Sequence, residues 1–357
     1  MERAQRLAWH GWGRTHPNPL VGAVVLRDGR VVGEGWHAEF GGPHAEVAAL
    51  DAAGDLAQGA TLVVSLEPCA HQGKQPPCTD AILRAGVRRV VAAIADPDPT
   101  AAGGATVLRG AGVEVVLGTG ATGACRQNAA FRHRFTASRR PWVALKLATS
   151  IDGAIADRSG RSRWVSGIEA RDHVQWLRAG FDAVAVGGAT ARADDPALTV
   201  RGSMLPRVPP TRVVFTRTEG LPASLQLVRT ARDQRTIVVT ASAGAGPARD
   251  LEAAGVTVAG AASLGAGLIW LREHAAVLSL LVEGGGRLAG ALVEAGLVDR
   301  LYWIQAPVWL GEGAVPAFRG LLPRALDTAP RWSVVERRAL GEDTLLVLDR
   351  EPCSQDS

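Results

Sequence analysis

The sequence predicts an α/β protein of two domains, each a largely apolar sheet covered by helices. Three observations carry this. Short apolar runs alternate with stretches of helical period along nearly the whole chain. The alternation pauses at one polar, proline-ended stretch, Thr136-Ala137-Ser138-Arg139-Arg140-Pro141, and then restarts. A chain of 357 residues also exceeds what one core usually organises. The expected domains are 1–140 and 141–357.

In the first half, apolar runs at 21–26 and 31–35 are joined through Asp28-Gly29. That dipeptide tolerates the positive φ of a tight turn, so the pair reads as a hairpin. A helix over 44–53 is entered at Pro43, and a buried strand covers 61–66. A helix over 78–85 stops at Gly86, followed by strand 89–95, helix 105–110, strand 113–117 and helix 121–135. In the second half, strands are expected at 143–147, 183–186, 213–215, 236–239 and 278–282, with helices at 168–179 and 287–295. Strands at 298–305, 332–335 and 344–348 close the chain.

Composition narrows the function classes. The net charge is +4, but the arginines are scattered, so no nucleic-acid partner is expected. No run reaches the length of a membrane span, and no apolar segment follows the N-terminus, so neither a membrane partner nor a signal peptide is expected. Four cysteines, at 69, 78, 125 and 353, make no disulfide framework and suggest a reducing cytoplasm. Of 39 basic residues only Lys74 and Lys146 are lysines. A chain so biased toward arginine keeps lysine where a compact, deprotonatable ammonium is needed.

The chemistry concentrates in His44-Ala45-Glu46, Glu67-Pro68-Cys69 and Cys78. One imidazole and two thiolates supply three ligands of a tetrahedral zinc and leave a position open for water. Glu46 is placed to move protons to and from that water, the pattern of the zinc deaminases. Eight residues separate the two cysteines where that pattern has two. His44 and Glu46, two apart, share no helix face, so they converge only at a helix entrance. A closed structural zinc site using His71 would leave Glu46 without a role. Asn18, in the proline-rich entry 15–22, and His37 are candidates to face a flat heterocycle, and His71 and Lys74 to bind its polar attachments.

The run Glu-Pro-Cys-Ala-His-Gln-Gly-Lys-Gln-Pro-Pro-Cys-Thr-Asp at 67–80, with Thr-His-Pro-Asn-Pro at 15–19 and Pro-His-Ala-Glu-Val at 43–47, closely resembles the bifunctional riboflavin-biosynthesis deaminase/reductase family. The runs at 146–153, 187–190, 194–201, 282–290 and 306–311 resemble that family's reductase half. The resemblance implies a cytidine-deaminase-like α/β/α sandwich followed by a dihydrofolate-reductase-like α/β domain. It implies one zinc per chain, NADPH, and a phosphorylated pyrimidine substrate that is first deaminated and then reduced at its ribosyl group. A homo-oligomer is left open.

By the same resemblance, Lys146, Ser162, Arg178, Leu198, Arg201 and Glu283 would meet the reductase substrate. Ala148, Trp164, Thr190, Asp194, Thr216 and the turn Gly285-Gly286-Arg287-Leu288-Ala289-Gly290-Ala291 would meet the cofactor. A glycine run opening a helix lets backbone N–H groups approach a phosphate. It does not follow a first strand, so it is not the Rossmann fingerprint. Leu20 stands where the family commonly has a second Asn, and Phe215-Thr216 where it has an Asp-Ser type pair. The competing reading is a cytidine or tRNA-adenosine deaminase with an unrelated second domain.

Overall fold

A computed structural model describes residues 1–163, 165–202, 204–217, 220–241 and 246–351. The chain divides into two compact units, the first ending at Ala137 and the second beginning at Ser138.

The first unit runs α1 (Glu2–Ala8), β1 (Gly22–Arg27), β2 (Arg30–Trp36), α2 (Ala45–Ala53), β3 (Thr61–Val64), α3 (Cys78–Arg84), β4 (Arg89–Ala92), α4 (Gly104–Gly110), β5 (Glu114–Leu117), α5 (Ala121–Gln127) and α6 (Ala129–His133). Its five strands lie in the order β2-β1-β3-β4-β5. The hairpin β1–β2 and the β1–β3 pair are antiparallel, while β3–β4 and β4–β5 are parallel. Asp28 and Gly29 take φ of 50° and 75°, the left-handed pair that a two-residue hairpin turn requires. Alternate residues Ala23, Val25, Leu62 and Val64 meet Ala45, Ala49 and Ala53 of α2 in one buried core. The small alanines let α2 sit close to the sheet, which places its N-terminus beside the end of β3.

The expected helix 121–135 is broken at Asn128. There the side-chain amide turns to bracket Leu20, accepting from its N–H (2.8 Å) and donating to its C=O (2.9 Å). A side chain that satisfies a distant backbone in this way anchors the entry segment and interrupts the helix.

The second unit contains β6 (Trp142–Thr149), β7 (Ala154–Ala156), α7 (Ile168–Ala179), β8 (Ala183–Gly187), α8 (Gly188–Asp194), β9 (Thr211–Thr216), α9 (Gln226–Arg229), β10 (Thr236–Thr240), α10 (Gly246–Ala253), β11 (Thr257–Gly260), α11 (Leu264–Ala275), β12 (Ser279–Val282), α12 (Gly286–Glu294), β13 (Arg300–Gln305), β14 (Val315–Pro316), β15 (Ser333–Leu340) and β16 (Asp343–Asp349). Nine strands form a sheet in the order β11-β10-β9-β8-β12-β6-β13-β16-β15. From β11 to β13 every neighbouring pair is parallel, and β16 and β15 add an antiparallel edge. Runs such as Ser279–Val282 are buried at every position, as strands covered on both faces must be. The edge strand β15 instead exposes Glu336, Arg337 and Arg338, which discourages further strand pairing.

Candidate active sites

In the first unit, Cys69 lies in the loop that follows β3, while His44 caps α2 and Cys78 opens α3. The three meet. His44 Nδ1 lies 3.1 Å from Cys78 Sγ and 3.5 Å from Cys69 Sγ, and the three donor atoms all lie within 4.8 Å of one another. Zinc held by one imidazole and two thiolates sets nitrogen and sulfur about 3.6 Å apart, so this donor set fits the ion. The Cys78 N–H points at Cys69 Sγ (3.4 Å), a polarity that favours thiolate. Hydrogen bonding from Cys78, reinforced by His44, draws the Cys69 thiol well below its ordinary value.

Glu46 sits in the first turn of α2, only 4% exposed, with its carboxyl in hydrogen-bond contact with Cys78. Burial pushes it up to about 7, partly offset by His44. Such a carboxyl exchanges a proton readily at neutral pH. The helix entrance thus brings His44 and Glu46 to one place despite their spacing.

His37 and Asn18 adjoin the centre in a way the sequence did not disclose. His37 Nδ1 donates to Pro43 O (3.0 Å), which leaves Nε2 to accept from the Asn18 amide (3.1 Å). Burial lowers the His37 pKa, consistent with this neutral ring. His37 is therefore spent on holding Asn18 and Pro43, the residue before His44. In the insert between the cysteines, Lys74 Nζ rests over the Phe40 ring, 4.1 Å from its centre, and His71 Nδ1 is buried without a hydrogen-bond partner.

Glu67 has a role that sequence reasoning missed. Its carboxylate accepts from Asp96 N (3.0 Å) and Ala105 N (2.8 Å), tying the loop after β4 to the start of α4.

In the second unit a cavity of about 1330 Å³ opens at the C-terminal ends of β6, β8, β9, β10 and β12, where open parallel sheets bind ligands. Lys146, Ala148, Ser162, Thr190, Asp194, Thr216, Glu283, Gly285, Gly286, Arg287, Leu288 and Ala291 all line it. Gly285 has φ of 80°, and a Cβ there would lie 2.5 Å from Thr190 Oγ1, so only glycine fits that turn.

Five expected contacts are placed elsewhere. Arg178 is paired with Glu283, to which it donates from Nε and Nη2, and it donates from Nη1 to Thr199 O (2.8 Å). Leu198 buries its side chain at 2% exposure on a backbone with φ of 49°. Arg201 is exposed, its N–H bonded to Gln175. Ala289 is in the core, and a Cβ on Gly290 would lie 2.1 Å from Arg319 O. On a helix, 289 and 290 face the sheet and the chain at 319, while 287, 288 and 291 reach the cavity. Trp164 lies outside the described residues.

Lys146 on β6 and Glu283 just past the end of β12 are neighbours, since Leu145 pairs with Val282. Burial and Arg178 lower the Lys146 pKa, against the pull of Glu283. Glu283 is held below the usual carboxylate range by Arg178 despite its burial.

Comparison with known proteins covers both units. The family described as RibD C-terminal domain matches residues 141–346, and the cytidine and deoxycytidylate deaminase zinc-binding region matches 1–94. The chain is 40% identical to the riboflavin biosynthesis protein RibD of Escherichia coli (strain K12), covering 98% of each. It is 38% identical to that of Aquifex aeolicus (strain VF5), covering 98% and 97%. Among solved structures it resembles Acinetobacter baumannii RibD, form 1 (TM-score 0.82, 36% identity, 98% and 97% covered). It is similar also to a diaminohydroxyphosphoribosylaminopyrimidine deaminase/reductase of Thermotoga maritima (TM-score 0.83, 35% identity, 99% and 97% covered).

Proposed function

The chain belongs to the RibD family of bifunctional riboflavin-biosynthesis enzymes, and from that premise we propose how its own residues divide the two reactions. It is a zinc-dependent deaminase joined to an NADPH-dependent reductase. The match over 141–346 sets aside an unrelated second domain.

His44, Cys69 and Cys78 hold the metal. Bound zinc brings the pKa of a water into the neutral range. Glu46 accepts a proton at its carboxylate and hands it to the departing amine, which leaves as ammonia. Asn18, fixed by His37, orients the pyrimidine, with His71 and Lys74 on the flanking loop. The observation that carries this reading is a buried carboxyl in contact with one sulfur of a His/Cys/Cys set.

In the second unit bound NADPH would supply hydride to the ribosyl carbon, which becomes an electrophile when the sugar ring opens. Lys146 is the group with a proton to give. Glu283, kept anionic by Arg178, holds that ammonium in place. Ser162 borders the same cavity and Arg201 stands outside it, so of the two Ser162 is the nearer substrate contact. A reducing cytoplasm is the compartment that suits a metal site built on the thiolates of Cys69 and Cys78.

The test supplies the purified protein with the diaminopyrimidine phosphoriboside and follows ammonia release, then NADPH oxidation. Both signals are expected, and the absence of both would sink the assignment.

A further inference from the structure

We infer that Glu67 is a positioning residue that holds the zinc ligand Cys69 in place and so sets how slowly the deaminase site gives up its metal. This goes beyond the proton transfer and substrate binding described above, and it rests on the zinc reading given there.

Cys69 sits inside a closed circuit of hydrogen bonds. Glu67, two residues before it, accepts through Oε2 from the N–H of Asp96 (3.0 Å). Asp96 Oδ1 accepts from Asp98 N (2.9 Å), and Asp98 O accepts from Ala101 N (3.0 Å). Ala101 O then accepts from Ala70 N (3.2 Å), one residue past the ligand. The circuit leaves the chain at Glu67 and returns at Ala70, with only Pro68 and Cys69 between. A shift of the Cys69 backbone therefore strains at least one of these four bonds.

Further contacts stiffen the circuit. The Glu67 N–H donates to Ile94 O (2.9 Å), and its second carboxylate oxygen, Oε1, accepts from Ala105 N (2.8 Å). A Cβ on Gly104 would lie 1.8 Å from Pro68 O, so only glycine lets these two stretches of backbone touch. Asp98 Oδ1 accepts from Thr100 N (2.9 Å) and Thr100 Oγ1 (2.7 Å), which folds the loop on itself. Ala101 packs with Cys69 and Cys78 in one buried cluster. Glu67 is the side chain that joins the ligand segment to this loop at two points, and it is buried. Without it two N–H groups lose their acceptor. A ligand held in place before the metal arrives surrenders less freedom on binding, so the bound ion is kept longer.

The experiment loads the full-length protein with zinc and follows metal release to an excess of a chromogenic chelator, with no substrate present. The proteins are the wild type, Glu67→Gln, Glu67→Ala and Val25→Ala, each with its melting temperature measured alongside. Val25 lies on β1 in the core of the same unit, so its variant supplies a general loss of stability without touching the circuit. Glu67→Ala should release zinc about 10- to 100-fold faster than the wild type, the range for groups that support metal ligands. Glu67→Gln keeps one oxygen acceptor and should fall between the two. Val25→Ala should release zinc at the wild-type rate even where it melts as low as the Glu67 variants. Glu67 variants that release zinc at the wild-type rate, or no faster than an equally destabilised Val25→Ala, overturn the inference. If Glu67→Ala does not fold, Glu67→Gln against Val25→Ala decides by the same criterion. A wild type that binds no zinc overturns the metal reading along with it.

Discussion

Arg178 grips the carboxylate of Glu283 with two parallel N–H···O bonds, one of them 2.8 Å from Nη2 to Oε2, where both side chains are almost wholly buried. Glu283 in turn faces Lys146, so the arginine fixes the charge state of the cavity floor. Removing one member of a buried pair strands the other, at a cost of about 3–5 kcal/mol. Arg178→Ala should therefore lower the melting temperature of the second unit and abolish NADPH oxidation while ammonia release continues. Arg178→Lys should do much the same, because a point charge cannot reproduce the fork.

The same pair gives a pH dependence. Glu283 has its folded pKa depressed, so it binds fewer protons folded than unfolded in mild acid. Its stabilisation is complete above the ordinary carboxylate value of about 4.3 and is lost as pH falls through the lower folded value. Acid unfolding followed by a probe in the second unit should shift toward neutral pH in Glu283→Gln, which lacks the ionised partner.

Glu46 behaves in the opposite sense. Its folded pKa of about 7 lies above the unfolded one, so burying the ionised form weakens the metal-free protein progressively from about pH 4.3 to 7. Metal-free Glu46→Gln should melt above metal-free wild type at pH 8, with the gap closing by pH 4. Zinc content near one per chain should persist in the variant, because Glu46 is not a ligand. Loss of zinc would contradict the assignment of the proton shuttle.

Asn128 pins the entry segment that carries Asn18. Asn128→Ala leaves the buried N–H and C=O of Leu20 unsatisfied, at about 1–3 kcal/mol each. The variant should melt lower and show a raised KM for deamination with NADPH oxidation of the deaminated substrate unchanged. An unchanged KM would remove Asn18 from substrate orientation.

Much of this was legible in the chain itself. The hairpin at Asp28-Gly29 and the buried strands of the second unit announce themselves through turn chemistry and unbroken apolar runs. The His44, Cys69 and Cys78 set is legible because metal chemistry admits so few residue types at such spacing. Other features depend on partners distant in sequence. Nothing local marks Glu67 as a bracket between the loop after β4 and α4, or Asn128 as a helix breaker. Arg178 read as a substrate contact, and only the fold brings the Glu283 carboxylate to its guanidinium. The 285–291 run read as one cofactor turn, but once α12 begins its period sends Ala289 and Gly290 to the core. The helix Leu264–Ala275 was also missed, although Ser263 caps it by accepting from Ala266 N (3.1 Å).

The central claim is an ordered pair of reactions at two sites, with Glu46 serving only the first. The most direct measurement gives Glu46→Gln each substrate in turn and follows NADPH oxidation. With the diaminopyrimidine phosphoriboside the variant should release no ammonia and oxidise no NADPH, and with the already deaminated compound it should oxidise NADPH at the wild-type rate. Ammonia release by the variant, or NADPH oxidation from the undeaminated substrate, would contradict the account.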